Sequence, residues 1–587
     1  MSALQPPPKK QSRRTISRRD FLRLAGVSTA ATVIAACAPT TAPQPGAVPR
    51  AAEEAEPEAT ATPVPTPAPA EQVSETGIDA GFMRPEGEPK RGGILKTAFG
   101  VTVPHFDIHQ GAGPPTLGHM YNGLVRYNLV DGLRTIIPDL ARGWEISDDG
   151  LTYTFNLREG VKYHDGEPFD SKDVVATFNR ILDPPDGIVI PTQAEFSMVD
   201  SIEAVDDFTV QFSLNAPRPY FLNLLAATTY VIYSQKSLEE NNFDLREVVA
   251  PGTGAFKFVE YQTAEKWTLE RNPDYWDPEL PYIDGIEMIH VPAWSDRGTA
   301  VLTEQANMSW NVAFETWQEG KNRPEEIGAN KLANFGAYWV VFNNNQAPFD
   351  DPRVRRAVHL AVSKQDLIKA FATQEQINLT RWVPHGDPYA TPQEELLKMP
   401  GYREDKTEDI ETAKALLAEA GYPDGIDGVE LLSASVAPHS ELLAPAFQDQ
   451  LKRININATI RVTERALLKD EQQNGNFQIV LDTYGHSLSD ISPRANLWWR
   501  TGGSQNFSGY SNPDFDALLD QIDVELDSEK RAELIAQAQD LLDQDPPWYL
   551  IGYTFHLPMW RSYVKGLALD NRLFAEWGRV ETVWLDL

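Results

Sequence analysis

The chain has 587 residues, with 84 acidic against 52 basic side chains and a formal net charge of −32 at pH 7. So acidic a surface repels nucleic acid, and its main consequence is solubility, with a mild pull on cationic solutes. The one cysteine excludes disulfides within the chain, so the fold rests on its apolar cores. The length calls for more than one such core.

The first 37 residues form a processing segment. Basic residues lead, from Lys9 and Lys10 to Arg18, Arg19 and Arg23, and an apolar run follows from Leu24 to Ala36. That run is too short to span a bilayer and suits a signal-peptide core. Ser17-Arg18-Arg19-Asp20-Phe21-Leu22 resembles a twin-arginine export signal, a route for folded proteins, and Ile34-Ala35-Ala36-Cys37 resembles a lipobox. The resemblance implies cleavage before Cys37 and lipid on its sulfur; the plain alternative for a lone cysteine is a small buried apolar residue. Residues 38–90 follow as a tether dense in Pro, Ala and Thr, with too little apolar surface to offset its ordering entropy.

From Arg91 onward strands and helices mix. Tyr153, Phe155 and Leu157 alternate with polar residues, as do Val210, Phe212 and Leu214, which predicts half-buried strands. Arg91 to Thr102 and Phe256 to Glu270 are also strand-rich. Asp351-Pro352 predicts a capped helix with Val354, Ala357, Val358 and Ala361 on its apolar face. Ser363 with Asp366 resembles a capping box for the next helix. Asp409 to Ala420 predicts a helix stopped by Gly421, and Phe515, Leu518, Leu519 and Ile522 recur at helical spacing. A last helix is expected from about Ser528 to Asp543. Strands crowd the first half and helices the second, which predicts an α+β, mixed α/β chain of several lobes. No second long apolar run appears.

Catalytic signals are sparse. Gly252-Thr253-Gly254 lacks the third glycine of a dinucleotide loop, and there is no Walker, Gly-x-Ser-x-Gly or His-Glu-x-x-His sequence. His164-Asp165-Gly166 reads as a turn, and acid pairs such as Asp148-Asp149 read as solvated loops. No metal and no cofactor is expected. Trp498-Trp499 admits two placements: one ring in core and one in a ligand cleft, or both packed.

Several stretches, in order, resemble the solute-binding proteins of peptide-, dipeptide-, oligopeptide- and nickel-type ABC importers, known as extracellular solute-binding protein family 5. They are Arg91-Gly92-Gly93-Ile94-Leu95, the long segment from Pro138 to Arg158, Gly160 to Phe169, Gly252 to Phe258, Arg271 to Trp276, Asp351 to Ala357 and Ala413 to Pro423. The resemblance implies a fold like that of type II periplasmic binding proteins: two hinged lobes that enclose ligand plus a peripheral third. On this chain it places lobe I at 91–123, 248–336 and 549–587, lobe II at 124–247, and lobe III at 337–548.

The implied function is the extracytoplasmic binding component of an importer, not an enzyme. It would bind peptides and deliver them to an ABC permease and its ATPase. It would act as a monomer, lipid-anchored at the outer face of the cytoplasmic membrane. An oligosaccharide is the alternative ligand, because Trp498-Trp499 could stack on sugar rings. A secreted enzyme and a receptor without transport are the readings outside import. In peptide-binding members an acid in a Gly-Trp-x-x-Asp-Tyr-like loop pairs with the ligand's amino group. The corresponding stretch here is Tyr484-Gly485-His486-Ser487-Leu488-Ser489-Asp490-Ile491-Ser492-Pro493, with His486 for Trp and Ile491 for Tyr. Tyr484, Gly485, His486, Asp490 and Trp498 are therefore the candidate contacts. Two roles stand open for Asp490: partner of an ammonium group, or turn and helix cap before Pro493.

Overall fold

The computed structural model describes residues 88–111, 113, 117–128, 135–372, 376–384, 387–435, 439–486, 490–567 and 579–587. Cys37, the export-signal-like segment and nearly all of the tether lie outside them. No helix among the described residues is long and apolar enough to cross a membrane.

Three larger sheets organise the chain. The first has seven strands in the order Ile327–Ala329, Met559–Arg561, Met308–Ser309, Ile94–Phe99, Gly285–His290, Lys266–Arg271 and Phe256–Gln262. Its Ile94–Phe99 strand runs parallel to Gly285–His290, from Ile94 opposite Gly285 to Phe99 opposite His290. The second is antiparallel: Ala141–Ile146, Thr152–Leu157, Thr209–Leu214 and Val199–Asp206. Tyr153, Phe155 and Leu157 point inward with Val210, Phe212 and Leu214, as the alternation predicts. They meet Val174, Phe178 and Ile181 of the helix Ser171–Leu182. Asp170 and Asp173 close a capping box at that helix's start.

The third sheet has six strands: Ile377–Asn378, Trp548–His556, Leu332–Phe342, Ile479–Tyr484, Ile426–Ala434 and Ile456–Thr463. Both of its faces are covered. Val340 and Phe342 pack with the helices Pro352–Ala361, Thr407–Glu419 and Ala444–Leu451. The alternate residues Ala337, Trp339 and Val341 pack with Ile491–Trp498, Pro513–Ile522 and Ser528–Gln544. Burial on both faces is why these strands read as near-continuous apolar runs. Asp351 caps its helix as expected, accepting from Arg353 N at 2.8 Å, and Asn512 caps the helix Pro513–Ile522 by accepting from Asp514 N and Phe515 N. At Ser363 only half of the capping box forms: Ser363 N donates to Gln450 Oε1, and the Asp366 carboxylate pairs with Arg453.

Two chain segments join the seven-stranded and six-stranded sheets, and they run side by side. Ala329 is paired with Met559 in the first sheet, and Leu332 with His556 in the second. The expected junctions at 336/337 and 548/549 both fall inside the six-stranded sheet. The strand Leu332–Phe342 begins before the first of them, and Trp548–His556 continues past the second. Between Ala333 and Ala337 the ladder is irregular, and Asn334 Nδ2 donates to Thr554 Oγ1, which donates to Gly336 O.

The glycine motif at 252–254 has a packing role. Gly254 N donates to Met120 O, and a Cβ on Gly252 or Gly254 would run into the Met120 backbone. His164 fastens the same loop: Nε2 donates to Gly254 O and Nδ1 accepts from Gly252 N.

Candidate functional site

In open sheets with parallel strands, ligand crevices lie beyond the carboxyl ends of those strands. Ile426–Ala434 and Ile479–Tyr484 are parallel neighbours. At their carboxyl end Tyr484, Ala337, Tyr553 and Asn378 form one row across the sheet, the row from which the two crossing segments depart. The chain leaves Tyr484 through Gly485 and His486 and enters the helix Ile491–Trp498 at Asp490.

Asp490 is the helix N-cap. Its Oδ1 accepts from Ser492 N at 2.8 Å. Both of its oxygens also hold Arg531 of the helix Ser528–Gln544: Nη2 reaches Oδ1 and Nη1 reaches Oδ2, each at 2.8 Å. The guanidinium further donates to Ser492 Oγ and Ile522 O, and its Cζ lies 5.3 Å from the centre of the Tyr389 ring. Asp490 therefore stands as the helix cap, one of the two roles left open for it, with its carboxylate also paired to Arg531.

Trp498 is 2 % exposed and Trp499 is 0 % exposed. Trp498 stacks on Trp548 with centroids 5.2 Å apart and donates its indole N–H to Gln505 Oε1. Trp499 packs against Trp382 and Trp339. Both rings pack in the core, the second of the two placements left open for Trp498-Trp499. Tyr484 is buried too. Its hydroxyl is bonded to Gln472, Lys469 Nζ lies 4.0 Å from its ring centre, and burial raises its pKa well above the usual phenol range. Gly485 is exposed, and the His486 ring meets Trp498 edge-on at 6.4 Å. Tyr484, His486 and Trp498 thus come together, while Asp490 turns to Arg531.

His486 also faces the antiparallel-sheet side of the molecule, with Nε2 4.0 Å from Glu195 Oε1. Beside this approach lies a cavity of about 300 Å³ lined by Glu195, Arg218, Tyr220, Pro493, Asn496 and Asp523 among others, at the small end of the range for ligand pockets. Burial raises the pKa of Glu195, against a hydrogen bond from Tyr230 Oη. Burial likewise raises that of Asp523, against bonds from Asn496 Nδ2. Tyr220 is raised by burial and then by the Asp523 charge. A larger open groove of about 770 Å³, lined by Asn343, Asn345, Gln346 and Gln478, sits at the amino end of Ile479–Tyr484, away from the crossing. The smaller cavity is the better ligand candidate, because its ionisable groups are desolvated and converge from distant parts of the chain. Glu195, Arg218, Tyr220 and Asp523 carry no motif of their own and meet only by folding.

Among the described residues no group of three His, Cys, Asp or Glu is placed to hold a metal ion. Residues 135–506 match the family described as bacterial extracellular solute-binding proteins, family 5 middle. The chain belongs to this family. Heme-binding protein A of Haemophilus influenzae is 28% identical over 484 residues, covering 76% of this chain and 84% of that protein. The oligopeptide-binding protein OppA of Bacillus subtilis is 26% identical over 508 residues, covering 78% and 88%. The solved structure of DppA from Helicobacter pylori in complex with the peptide STSA aligns with a TM-score of 0.68 at 27% identity, covering 85% of this chain and 99% of that one. These family-5 proteins share the mixed α/β fold, as expected from the resemblance.

Proposed function

We propose that this chain is the extracytoplasmic substrate-binding component of an ABC importer. It takes a peptide into the cleft at the carboxyl end of the six-stranded sheet, closes over it, and presents it to a membrane permease driven by an ATPase. The observation that carries this reading is the paired crossing, 329–332 beside 556–559, which joins two sheets by two short adjacent segments. Such a joint lets one body swing against the other while each core stays packed.

Family membership supports solute binding, and the peptide reading draws on relatives named for oligopeptides and on a related structure that holds STSA. An extended peptide suits a broad-specificity cleft, because its backbone can be held by strand-like hydrogen bonds that do not read side chains, with water filling the side-chain pockets. Another relative is named for haem, so ligand chemistry is set by the cleft residues and not by the fold. The sugar reading rested on exposed tryptophan faces, and it loses that footing with Trp498 and Trp499 in the core. Export through the twin-arginine-like signal, a lipid on Cys37 and a monomeric state complete the proposal.

Native mass spectrometry of the protein purified from its producing cells tests the ligand class. Retained peptide masses are the expected result. A retained hexose polymer, or another non-peptide mass at full occupancy, would overturn the peptide reading.

A further inference from the structure

Arg494 sits on the buried side of the helix Ile491–Trp498 and is 0 % exposed. Its Nη1 donates to Tyr553 Oη at 2.8 Å, and the phenol in turn donates to Trp382 O. Its Nε and Nη2 have no hydrogen-bond partner, and no carboxylate stands within ion-pair range of it among the described residues. Arg158 donates to Asp139 O and lies over the Trp276 ring, Arg561 holds Glu304, and five more buried arginines hold acids. Arg126 holds Glu581, Arg180 holds Asp107, Arg355 holds Asp545, Arg381 holds Asp543 and Arg531 holds Asp490. A guanidinium taken out of water without an acid is among the costliest arrangements a fold can keep. Asp387 is the acid whose charge reaches Tyr553, but its Oδ1 accepts from Tyr389 N and it makes no ion pair with Arg494.

The surroundings deepen the imbalance. Trp339, whose ring lies 6.1 Å from Tyr553, and Trp499, packed on Trp382, each bury an indole N–H without an acceptor. The region is thus rich in donors and short of acceptors. Tyr553 belongs to the row of residues at the carboxyl end of the six-stranded sheet, where the crossing segments leave. Through Tyr553, Arg494 is tied to that end of the sheet.

We propose that Arg494, seated under Ile491–Trp498 beside Tyr553, receives a carboxylate of the transported ligand, so that this binding protein selects acids. The inference rests on the reading of the chain as a solute receptor and adds the ligand's charge. A carboxylate would take Nε and Nη2 together, the two-pronged geometry in which arginine binds acids best. With Asp490 committed to Arg531, the charge that the cleft leaves unmatched is positive. For a peptide ligand, its free carboxyl terminus is the group so held.

Two measurements on the whole mature protein test this. The first is the melting temperature in sodium acetate against sodium chloride at equal ionic strength, for the wild type and for Arg494→Met. Acetate is expected to raise the wild-type melting temperature and to leave the variant at its chloride value. An acetate effect that is absent, or equal in the two proteins, overturns the site. If Arg494→Met does not fold, Arg494→Lys replaces it; keeping the charge without the fork, it should show a reduced acetate effect, and a full one overturns the site. The second is calorimetric affinity for tetra-alanine as the free acid and as the C-terminal amide. Wild type should prefer the acid by about tenfold or more, and the variant should lose that preference. Equal affinity for both forms in the wild type overturns the carboxylate reading. An Arg494-dependent acetate effect with no binding of either peptide supports the anion seat and removes the peptide reading instead.

Discussion

Asp490 shows how one carboxylate can satisfy two accounts of a sequence. Its place before Pro493 fits both a ligand loop and a helix cap, and what separates them is a residue 41 positions away, Arg531. The pair is buried, so removing one partner leaves the other charged and unmatched. Asp490→Asn keeps the cap to Ser492 N but strands Arg531. It should lower the unfolding free energy by about 3–5 kcal/mol, measured by urea denaturation. A variant as stable as wild type with weakened ligand binding would return Asp490 to the ligand. Adding Arg531→Met should recover much of the loss, because an apolar pair no longer buries a lone charge. Arg494 is the converse case: its sequence context marks nothing, and only its burial without an acid singles it out.

Among elements, those read from local patterns formed where expected. The cap at Asp351, the left-handed stop at Gly421 with φ of 94°, and the inward Tyr153, Phe155 and Leu157 depend on neighbours within a few residues. The His164-Asp165-Gly166 turn was legible too, but not its task of fastening the 252–254 loop 90 residues on. That task needs a neutral ring, with one nitrogen donating and the other accepting. Burial pushes the His164 pKa down to about 4, and burial does the same to His109 and His556. The unfolded chain takes up these protons below about pH 6.5 while the folded one does not. The stabilisation is therefore complete above that pH and is lost as pH falls from about 6.5 towards 4. Asp173, raised to about 6 by burial, acts in the opposite direction, so a difference between two proteins is the cleaner reading. His164→Asn should be less stable than wild type at pH 7, and the gap should narrow at pH 5. A gap constant across that range would show that the ring's protonation is not what couples it to folding.

At the scale of the whole molecule, the proposed closure turns on the paired crossing. Swinging one body about 329–332 and 556–559 changes few backbone angles, whereas shearing either core would break close packing. Saturating ligand should reduce the radius of gyration in X-ray scattering. An unchanged value at saturation would rule out closure. The tether, read only from composition, holds this body away from the membrane in the proposed arrangement. Cys37→Ser should then move the protein from the membrane fraction to the soluble one, and a variant that still sediments with membranes would exclude lipid on that sulfur.

The sequence by itself determined the family, the mixed α/β class, several helix ends and the inward faces of the strands it marked, because periodicity, caps and turn glycines act over a few residues. It could not decide which charges meet. Asp490 with Arg531, His486 with Glu195, and Arg494 with no acid among the described residues are set by helices and sheets brought together from distant parts of the chain. Nor could it decide whether Trp498 faces a cleft or a core, since both placements have the same neighbours in sequence. Burial is a property of the packed molecule, and on this chain it is packing that pairs Asp490 with Arg531 and buries Arg494 without an acid among the described residues.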